Sequence, residues 1–517
     1  MQLPLVTAAE LHVGSGQTYT TIQAAITAAS AGDTIIVHPG TYSEVVDVNK
    51  ESLTLRGMSG AIIRPIGGPH DHAVGVTKDY VTIEGFEIDG TGGTVYFGIA
   101  VSNSRSVNIR NNVVHDIKNK QPPENGRYGV GILFWGVGVK MDNNIIEGNT
   151  VYNTGRMGIF IGTVTSSQWP YLLSSNNIVR NNVVYDTWQD PQGDGGASIQ
   201  INGAKNSLIK DNEIYNTRNN WWGIYIGGSS TSNRIIGNNI HDNYRGIVVW
   251  SNPTWVQYEV NTPGAPEIHF NNIYGNTQYG LRVVDTDPTY SVDAKDNWWG
   301  GASGPTHPSN PGGTGDAVTD NVDFTPWLGA SLSNVDSEKV QAGTTTTVGS
   351  STMGVSADVT TTTGTPTVTV ATYTSNPGGK PTFSALGKYV DVQIDNAAGV
   401  TQILIKVYYT DAEVAASGIT ESTLKLYWWT GSAWVACSDT GVDTVNNYIW
   451  ARITATSIPN LNQLTGTPFG AGGVKPAPVG GYVIPVSKAS VLAPYLALFG
   501  LAGAIAVVAV KLRRRKA

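Results

Sequence analysis

The sequence contains a single cysteine, Cys437, among 517 residues. One cysteine excludes an intramolecular disulfide framework and a thiolate metal cluster, so the stability of the chain must come from packing. Charged residues are also scarce, at 14% of the chain, and the formal net charge is −7. Nucleic-acid binding requires a basic stripe facing the phosphates, and the sequence before its C-terminal basic residues, 511–516, has none. We therefore expect polar or neutral partners and no nucleic acid.

The two ends of the chain differ in their targeting signals: the N-terminus lacks an intact secretory signal, and the C-terminus has an apolar run. Residues 1–10 have neither a basic segment nor an apolar run long enough for an intact secretory signal, so they stay unassigned, as a trimmed signal or a misplaced start. Residues 490–511 contain an apolar run that is long enough for a membrane helix, because helical residues rise about 1.5 Å each. The basic residues 512–517 then predict a cytoplasmic tail. We expect a cell-surface protein anchored in the cytoplasmic membrane by one C-terminal span.

A short motif of Asn, any residue, Val or Ile, an aromatic residue, and Asn or Asp recurs every 25 to 37 residues through the first half of the chain. Its copies begin at Asn112, Asn149, Asn182, Asn212 and Asn238, with looser ones at Phe86, Asn271 and Asp296. A second apolar motif beginning with Gly lies between the copies, for example at Gly158 to Ile161. Strands this short bury apolar residues only by stacking coil on coil, about 4.8 Å apart. The repeats predict a parallel β-helix over residues 11–330, with the Asn residues in an internal ladder.

The segments flanking the repeats complete an all-β prediction. Residues 20–31 place their apolar side chains on one helical face, which predicts a helix that caps the open N-terminal end of the solenoid. From residue 331 the composition shifts to Thr, Ser and Gly, followed by alternating strands, which predicts a β-sandwich over residues 331–471. Residues 472–489 are rich in Pro and Gly and predict a linker to the transmembrane helix.

The segment from Thr18 to Gly57, the Asn-rich coils and the closing run from Asp296 to Gly300 (DNWWG) resemble the right-handed parallel β-helix repeat proteins of the pectin lyase-like superfamily. The chain is similar in particular to the carbohydrate-binding and sugar-hydrolase repeat group, which includes the copper-maturation protein of nitrous oxide reductase. The resemblance implies the fold of about residues 11 to 328. It implies little chemistry, because the superfamily contains lyases, hydrolases, epimerases and non-enzymatic binders.

Long insertions between the coils predict a polysaccharide groove over the face of the Gly-containing strands. The outward residues of this face are predicted to be Phe160, Gln200, Tyr225 and Arg282. The loops at its edges carry Trp169, Tyr171, Trp188, Trp250 and Trp255. Aromatic faces suit the C–H side of sugars, and carboxylates and amides suit their hydroxyls. The alternative is that these loop aromatics only pack their own loops.

A second aromatic set lies three residues after the coil starts and forms one column. It consists of His115, Tyr152, Tyr185, Tyr215, His241, Tyr274 and Trp299. Such a column either binds sugars or acts as a stacking ladder that stiffens the solenoid.

Catalytic signals are weak. Asp190 and Asp194 are the best carboxylate pair for glycoside hydrolysis, although surface aspartates in turns are the alternative. Lyase chemistry would need a base, with Ca²⁺ or Arg against a uronate, and the candidates are Arg127, Arg218, His241 and Arg245. No cofactor and no metal site are expected, and Ca²⁺ stays open without a ligand pattern to support it. His70, Asp71 and His72 are adjacent in the sequence and cannot all face one ion without a distant further ligand. Three functions remain: a glycan-binding surface protein, a cell-bound polysaccharide lyase or glycoside hydrolase, and a structural stalk, envelope component or adhesin.

Overall fold

The computed structural model describes residues 8–117, 129–164, 174–188, 196–218, 220–227, 230–250, 264–285 and 289–476. Three parallel sheets, here called sheets A, B and C, run through the first part of the chain, and two antiparallel sheets follow. Most coils contribute one strand to each parallel sheet, and that strand pairs with the equivalent strand of the next coil, while the terminal coils contribute only to sheet A. The predicted stacking of coils is therefore confirmed.

The strands of the three parallel sheets are short, apart from three longer ones in sheet C. Sheet A contains Glu10–Val13, Thr34–Val37, Thr54–Gly57, Thr82–Glu84, Asn108–Arg110, Ile145–Glu147, Ile178–Arg180, Leu208–Lys210, Arg234–Ile236, Glu267–His269, Val292–Asp293 and Val322–Asp323. Sheet B contains Gly40–Tyr42, Ala61–Ile63, Glu87–Asp89, Val113–His115, Thr150–Tyr152, Val183–Tyr185, Glu213–Tyr215, Asn239–His241 and Asn272–Tyr274. Sheet C contains Val46–Val48, Gly67–Val76, Gly93–Ser102, Val130–Val137, Ile159–Val164, Ala197–Asn202, Trp222–Gly227, Arg245–Trp250 and Tyr279–Val284. Two short pairs, Ser174–Ser175 with Ala204–Lys205 and Pro305–Thr306 with Gly315–Ala317, are added to them.

An asparagine ladder lies inside the solenoid where sheet A turns into sheet B. The Asn149 side-chain amide donates to Asn182 Oδ1 at 3.0 Å, and the Asn182 amide donates to Asn212 Oδ1 at 2.9 Å. The ladder consists of Asn112, Asn149, Asn182, Asn212, Asn238, Asn271 and Asn297. Its last member is Asn297 and not Asp296, so the predicted start of the final coil was wrong by one residue.

Glycine begins the sheet C motif because the corner between sheets B and C has no room for a side chain. A Cβ atom on Gly158 would lie 2.4 Å from Val184 Cγ1 and 2.7 Å from the Ser198 carbonyl oxygen. A Cβ atom on Gly131 would meet Val151 Cγ1 at 2.4 Å. The motif therefore marks a tight corner of the coil.

The first coil is capped by the helix Ile22–Ala28. Thr21 caps its N-terminus, and the Glu44 carboxylate accepts the backbone N–H groups of Ile22 and Gln23 at 2.8 and 3.0 Å. These bonds satisfy amides that a helix start leaves without intrahelical partners. Ile22 and Ile26 are fully buried, so the helix covers the end of the solenoid core.

Two antiparallel sheets form the sandwich-like C-terminal part. The six-stranded sheet contains Leu332–Lys339, Thr367–Tyr373, Ser384–Ile394, Pro468–Gly473, Lys425–Trp429 and Trp434–Ala436. The five-stranded sheet contains Thr345–Ser350, Val355–Thr361, Val400–Tyr408, Tyr448–Ile453 and Thr440–Asp443. The helix Asp411–Ser417 and the short 3₁₀ turns Glu421–Thr423 and Leu461–Gln463 connect them, and a further 3₁₀ turn, Gly90–Gly92, lies in the solenoid.

The sandwich packs against the side of the β-helix within one compact unit, residues 1–474. Phe270 of the solenoid is 1% exposed and belongs to the same apolar cluster as Tyr373 and Trp434 of the sandwich. Lys210 donates to Asp336 Oδ1 at 2.9 Å, which adds an ion pair between the two parts.

One part of the predicted fold is corrected. Among the residues that the structure describes, no helix is long and apolar enough to cross a membrane. The two α-helices there have seven residues each, against about 20 for a membrane span. The predicted transmembrane helix is therefore not part of the fold that the structure describes, and the predicted span, 490–511, lies outside the described residues.

Candidate functional site on the outer face of sheet C

The outer face of sheet C brings the predicted face residues into one column. Phe160 pairs with Gln200, Gln200 with Tyr225, and Tyr225 with Val248. Val248 pairs in turn with Arg282. Equivalent residues of neighbouring coils lie about 4.8 Å apart, so the column forms a continuous strip along the solenoid.

Most of this column is buried. Phe160 is 2% exposed, Tyr225 4% and Gln200 9%, whereas Arg282 is half-buried. Phe160 packs with Leu133 and Met157 in one apolar cluster, and Tyr225 packs with Trp222 in another. Gln200 lies between the clusters, and its buried Oε1 atom has no hydrogen-bond partner among the described residues.

The loop residues of the predicted groove divide into two groups. Trp169, Tyr171, Asp190, Asp194 and Trp255 lie outside the described residues, and their roles stay predictions.

The other two loop aromatics are described. Trp188 is fully buried, with its ring 4.9 Å from that of Trp221 and the Arg156 guanidinium 5.3 Å from its centroid. Trp250 is half-buried and packs against the cluster around Tyr225. The Trp188 ring therefore packs against residues around its own loop. This agrees with the alternative interpretation, in which the loop aromatics only pack their own loops.

An open cleft lies on the same face, over the earlier coils. Its volume is about 440 Å³, and its lining consists of Asp71, His72, Phe97, Ala100, Ser102, Leu133 and Trp135. Phe97 and Trp135 are half-buried, so each ring keeps part of its surface accessible. His72 Nε2 lies 2.8 Å from Asp47 Oδ1, which orients the imidazole at one end of the cleft. The cleft thus combines two aromatic rings with a carboxylate, an imidazole and a hydroxyl.

Sequence reasoning did not select these cleft residues for sugar binding, although its second motif marked parts of the strands that carry Ala100 and Leu133. The register pairs Ala100 with Leu133, and Leu133 with Phe160. Ser102 and Trp135 follow two residues later on the same strands, and alternation therefore places them on the same face. Counting two residues beyond each outward position would have identified them.

The aromatic column on sheet B is a stacking ladder. The rings of Tyr152 and Tyr185 lie 5.0 Å apart at 8°, and those of Tyr185 and Tyr215 lie 5.0 Å apart at 2°. Faces stacked on each other are closed to a sugar, so the structure favours the stiffening role. The last ring is Trp298 and not Trp299, which is fully buried in the solenoid core.

The described residues considered for lyase chemistry do not converge on one site. Arg218 pairs with Asp186 at 2.9 Å. His241 contacts Asp242 at 2.9 Å, and the Arg245 guanidinium lies 5.6 Å from the Trp222 ring centroid. Burial lowers the pKa of Arg245, as does the nearby charge of Arg282.

Residues 135–296 match the family described as right handed beta helix region. The chain is also 30% identical over 345 residues to a cell surface glycoprotein from Methanothermus fervidus, covering 58% of this chain and 52% of that protein. The chain therefore spans about half the length of the curated relative that it matches.

Solved structures with similar folds include an alginate lyase from Paenibacillus sp., at 15% identity and a TM-score of 0.37, covering 61% of this chain and 99% of that one. The A-module of a mannuronan C-5 epimerase from Azotobacter vinelandii has 18% identity and a TM-score of 0.32, covering 54% of this chain and 90% of that one. The tailspike protein 2 of bacteriophage CBA120 has 11% identity and a TM-score of 0.38, covering 91% and 81%. The family match and the register of the three parallel sheets together show a right-handed parallel β-helix in the first part of the chain.

Proposed function

We propose that this protein is a cell-surface β-helix protein that binds polysaccharide on the outer face of sheet C. The observation that carries the proposal is the open cleft in which Phe97 and Trp135 lie beside Asp71 and His72. Pyranose rings have an apolar C–H side that packs on an aromatic face and hydroxyl groups that need hydrogen-bonding partners. The cleft supplies both kinds of contact.

The size and continuity of this face support a polymer over an isolated small molecule. A volume of about 440 Å³ is within the range of ligand pockets, about 300–1,000 Å³. The face continues past the cleft along the sheet C column to Arg282, whose half-buried guanidinium adds a charged group to the same strip. A sugar chain lying along the solenoid would meet one coil after another.

The cell-surface location is supported by the similarity to the Methanothermus fervidus cell surface glycoprotein. The low charge content of the chain is compatible with neutral or acidic glycans approached through hydroxyl groups. Phe160, Tyr225 and Trp250 then act as the packed floor and edge of the strip, while Phe97 and Trp135 make the direct contacts.

A second candidate is a cell-bound polysaccharide lyase or glycoside hydrolase, and the pair His72 and Asp47 favours it. A carboxylate 2.8 Å from an imidazole nitrogen orients the ring as a general base requires. Asp190 and Asp194 remain the carboxylate pair proposed for hydrolysis.

Replacing Trp135 with alanine is expected to weaken polysaccharide binding at least about tenfold, or about 1.4 kcal/mol, because the variant loses an accessible aromatic face. Calorimetric titration of neutral and uronic-acid oligosaccharides into the full chain measures this change. Trp450→Ala is the matched control, since Trp450 is a half-buried tryptophan of the sandwich that does not line the cleft.

The same titrations distinguish binding from turnover. Unsaturated products or new reducing ends that disappear in His72→Ala would favour the enzyme. If no oligosaccharide binds to the unmodified protein, or if Trp450→Ala weakens binding as much as Trp135→Ala, the cleft is not the glycan site.

A further inference from the structure

Three potential ligand side chains meet on the outer face of sheet B, away from the cleft. One carboxylate oxygen each of Glu87 and Asp89 and one ring nitrogen of His115 lie within 4.8 Å of one another. Glu87 and Asp89 come from one strand, and His115 comes from the strand of the next coil. His115 is 8% exposed and Asp89 is 3% exposed, so the group is built into the surface of the sheet.

The imidazole of His115 is held in a defined orientation. Its Nδ1 atom lies 2.6 Å from Asp116 Oδ2, and its Nε2 atom lies 3.4 Å from Glu87 Oε1. With the proton on Nδ1 donated to Asp116, the Nε2 lone pair faces a carboxylate oxygen. Two such acceptors repel each other unless a proton or a metal ion lies between them. A carboxylate behind the ring is also the common outer partner of metal-binding histidines.

The Asp89 carboxylate is ready to act as an anionic ligand. Two hydrogen bonds, from Thr91 and Arg64, fix the orientation of this carboxylate. The Thr91 amide donates to Oδ1 at 2.7 Å, and Arg64 Nε donates to Oδ2 at 2.6 Å. Each oxygen retains a second lone pair, and the positive Arg64 partly offsets the charge of the acidic groups.

We propose that Glu87, Asp89 and His115 bind a divalent transition-metal ion of the Zn²⁺ class. One imidazole with two carboxylates suits such an ion better than Ca²⁺, which takes six to eight oxygen ligands. Three protein ligands leave a fourth tetrahedral position for water or a sugar hydroxyl. The ion would tie two successive coils together at the end of the aromatic ladder, where His115 stacks on Tyr152 at 4.9 Å.

The molecule carries its own comparison site further along sheet B. His241 Nδ1 lies 2.9 Å from Asp242 Oδ2, and His241 Nε2 lies 3.6 Å from Glu213 Oε1. The position equivalent to Asp89 is Tyr215, which stacks on His241. Thus the second site repeats the oriented histidine and the glutamate but lacks the third ligand.

The test uses the full chain after treatment with a chelator, with ZnCl₂ as the titrant and CoCl₂ as a spectroscopic probe. We expect one bound ion per chain that is lost when the site is mutated. Co²⁺ bound there is expected to show the absorption spectrum of a tetrahedral site. Asp89→Asn and His115→Phe are expected to weaken Zn²⁺ binding at least about tenfold, and Asp116→Asn about 10- to 100-fold. Phenylalanine at 115 keeps the ring stacked on Tyr152, so this change removes a ligand with little loss of packing.

Two further variants separate this site from nonspecific binding by surface histidines. His241→Phe is expected to leave the site-dependent ion unchanged, and Tyr215→Asp in a folded chain is expected to create a second site. The proposal is overturned if His115→Phe binds Zn²⁺ and Co²⁺ as the unmodified protein does. It is also overturned if His241→Phe loses the same ion, or if folded Tyr215→Asp gains none. Glycan binding through Trp135 is measured separately, so failure of one proposal does not affect the other.

Discussion

Replacing Asn182 with alanine is expected to destabilise the β-helix by several kcal/mol. The Asn182 side chain accepts the backbone N–H and the side-chain amide of Asn149, both at 3.0 Å. Its own amide donates to the Ile146 carbonyl at 2.9 Å and to Asn212 Oδ1 at 2.9 Å. Alanine would remove all four of these hydrogen bonds and would leave the buried backbone N–H of Asn149 without this acceptor, and each buried group left unpaired costs about 1–3 kcal/mol. A combined loss of about 3–6 kcal/mol is expected, because part of the gap closes by relaxation.

Chemical denaturation followed by circular dichroism measures this loss as a lower unfolding midpoint. The matched control is Thr150→Ala, a change at a half-buried, outward position of sheet B one coil away. That variant is expected to stay within about 0.5 kcal/mol of the unmodified protein. Equal midpoints for Asn182→Ala and the unmodified protein would mean that the ladder does not stabilise the solenoid.

Replacing Asp391 with asparagine is expected to change how stability depends on pH. Asp391 lies in the sandwich, is fully buried, and accepts the Tyr373 hydroxyl at 2.7 Å. Burial raises the pKa of its carboxyl to about 6, although the bonds from Tyr373 and the Val392 amide work in the opposite direction. Nearby Asp296 of the solenoid is 2% exposed, and burial together with the charge of Asp391 raises its pKa well above the ordinary value.

The direction of the effect follows from proton binding. An aspartate in the unfolded chain has a pKa of about 3.9, so between about pH 4 and pH 6 the folded state binds more protons than the unfolded state. The contribution of Asp391 to stability is therefore fully present below about pH 4 and is lost as the pH rises through about 6. A difference of about 2 pKa units corresponds to about 3 kcal/mol, and asparagine removes this dependence.

Urea unfolding of both proteins at pH 4.5, 5.5 and 7 measures this difference. Asp391→Asn is expected to gain stability relative to the unmodified protein as the pH rises, with most of the change between pH 4.5 and 6.5. Asp211 and Asp316 also have pKa values raised to about 6 by burial, but they are common to both proteins and cancel in the comparison. Asp320→Asn is the control, because the Asp320 side chain is 94% exposed. If the free energy of unfolding changes with pH in the same way for Asp391→Asn and the unmodified protein, the pKa of Asp391 is not raised in the folded state.

The repeat motif was sufficient to predict the solenoid and its ladder, because each coil buries its apolar residues against the next coil in the same way. Asn149, Asn182 and Asn212 lie in successive layers, as their spacing predicted. At the final coil the motif is degenerate, and the aligned residue is Asn297, so the predicted register was wrong by one residue there. The membrane helix was predicted from an apolar run with no tertiary information, and no helix of the described residues supports it.

The candidate site was predicted less completely. Alternation along the strands correctly grouped Phe160, Gln200 and Tyr225 on one face of sheet C, but it does not report how deeply a face residue is buried. Packing against neighbouring strands buries these side chains, while Phe97 and Trp135 remain accessible at the open cleft. Accessibility depends on neighbours that are distant in the sequence, so local patterns cannot supply it.

The sequence by itself determined the coil, the Asn ladder and two strands of each coil, since these follow from residues a few positions apart that recur with every turn. Only the tertiary structure decided which side chains of different coils meet. Stacking brings Glu87 to 3.4 Å from His115, although 28 residues separate them, and it brings the sandwich residue Gln393 to 2.6 Å from Asp296. The number of residues between two coils varies with the loops, whereas their spacing in space is fixed at about 4.8 Å.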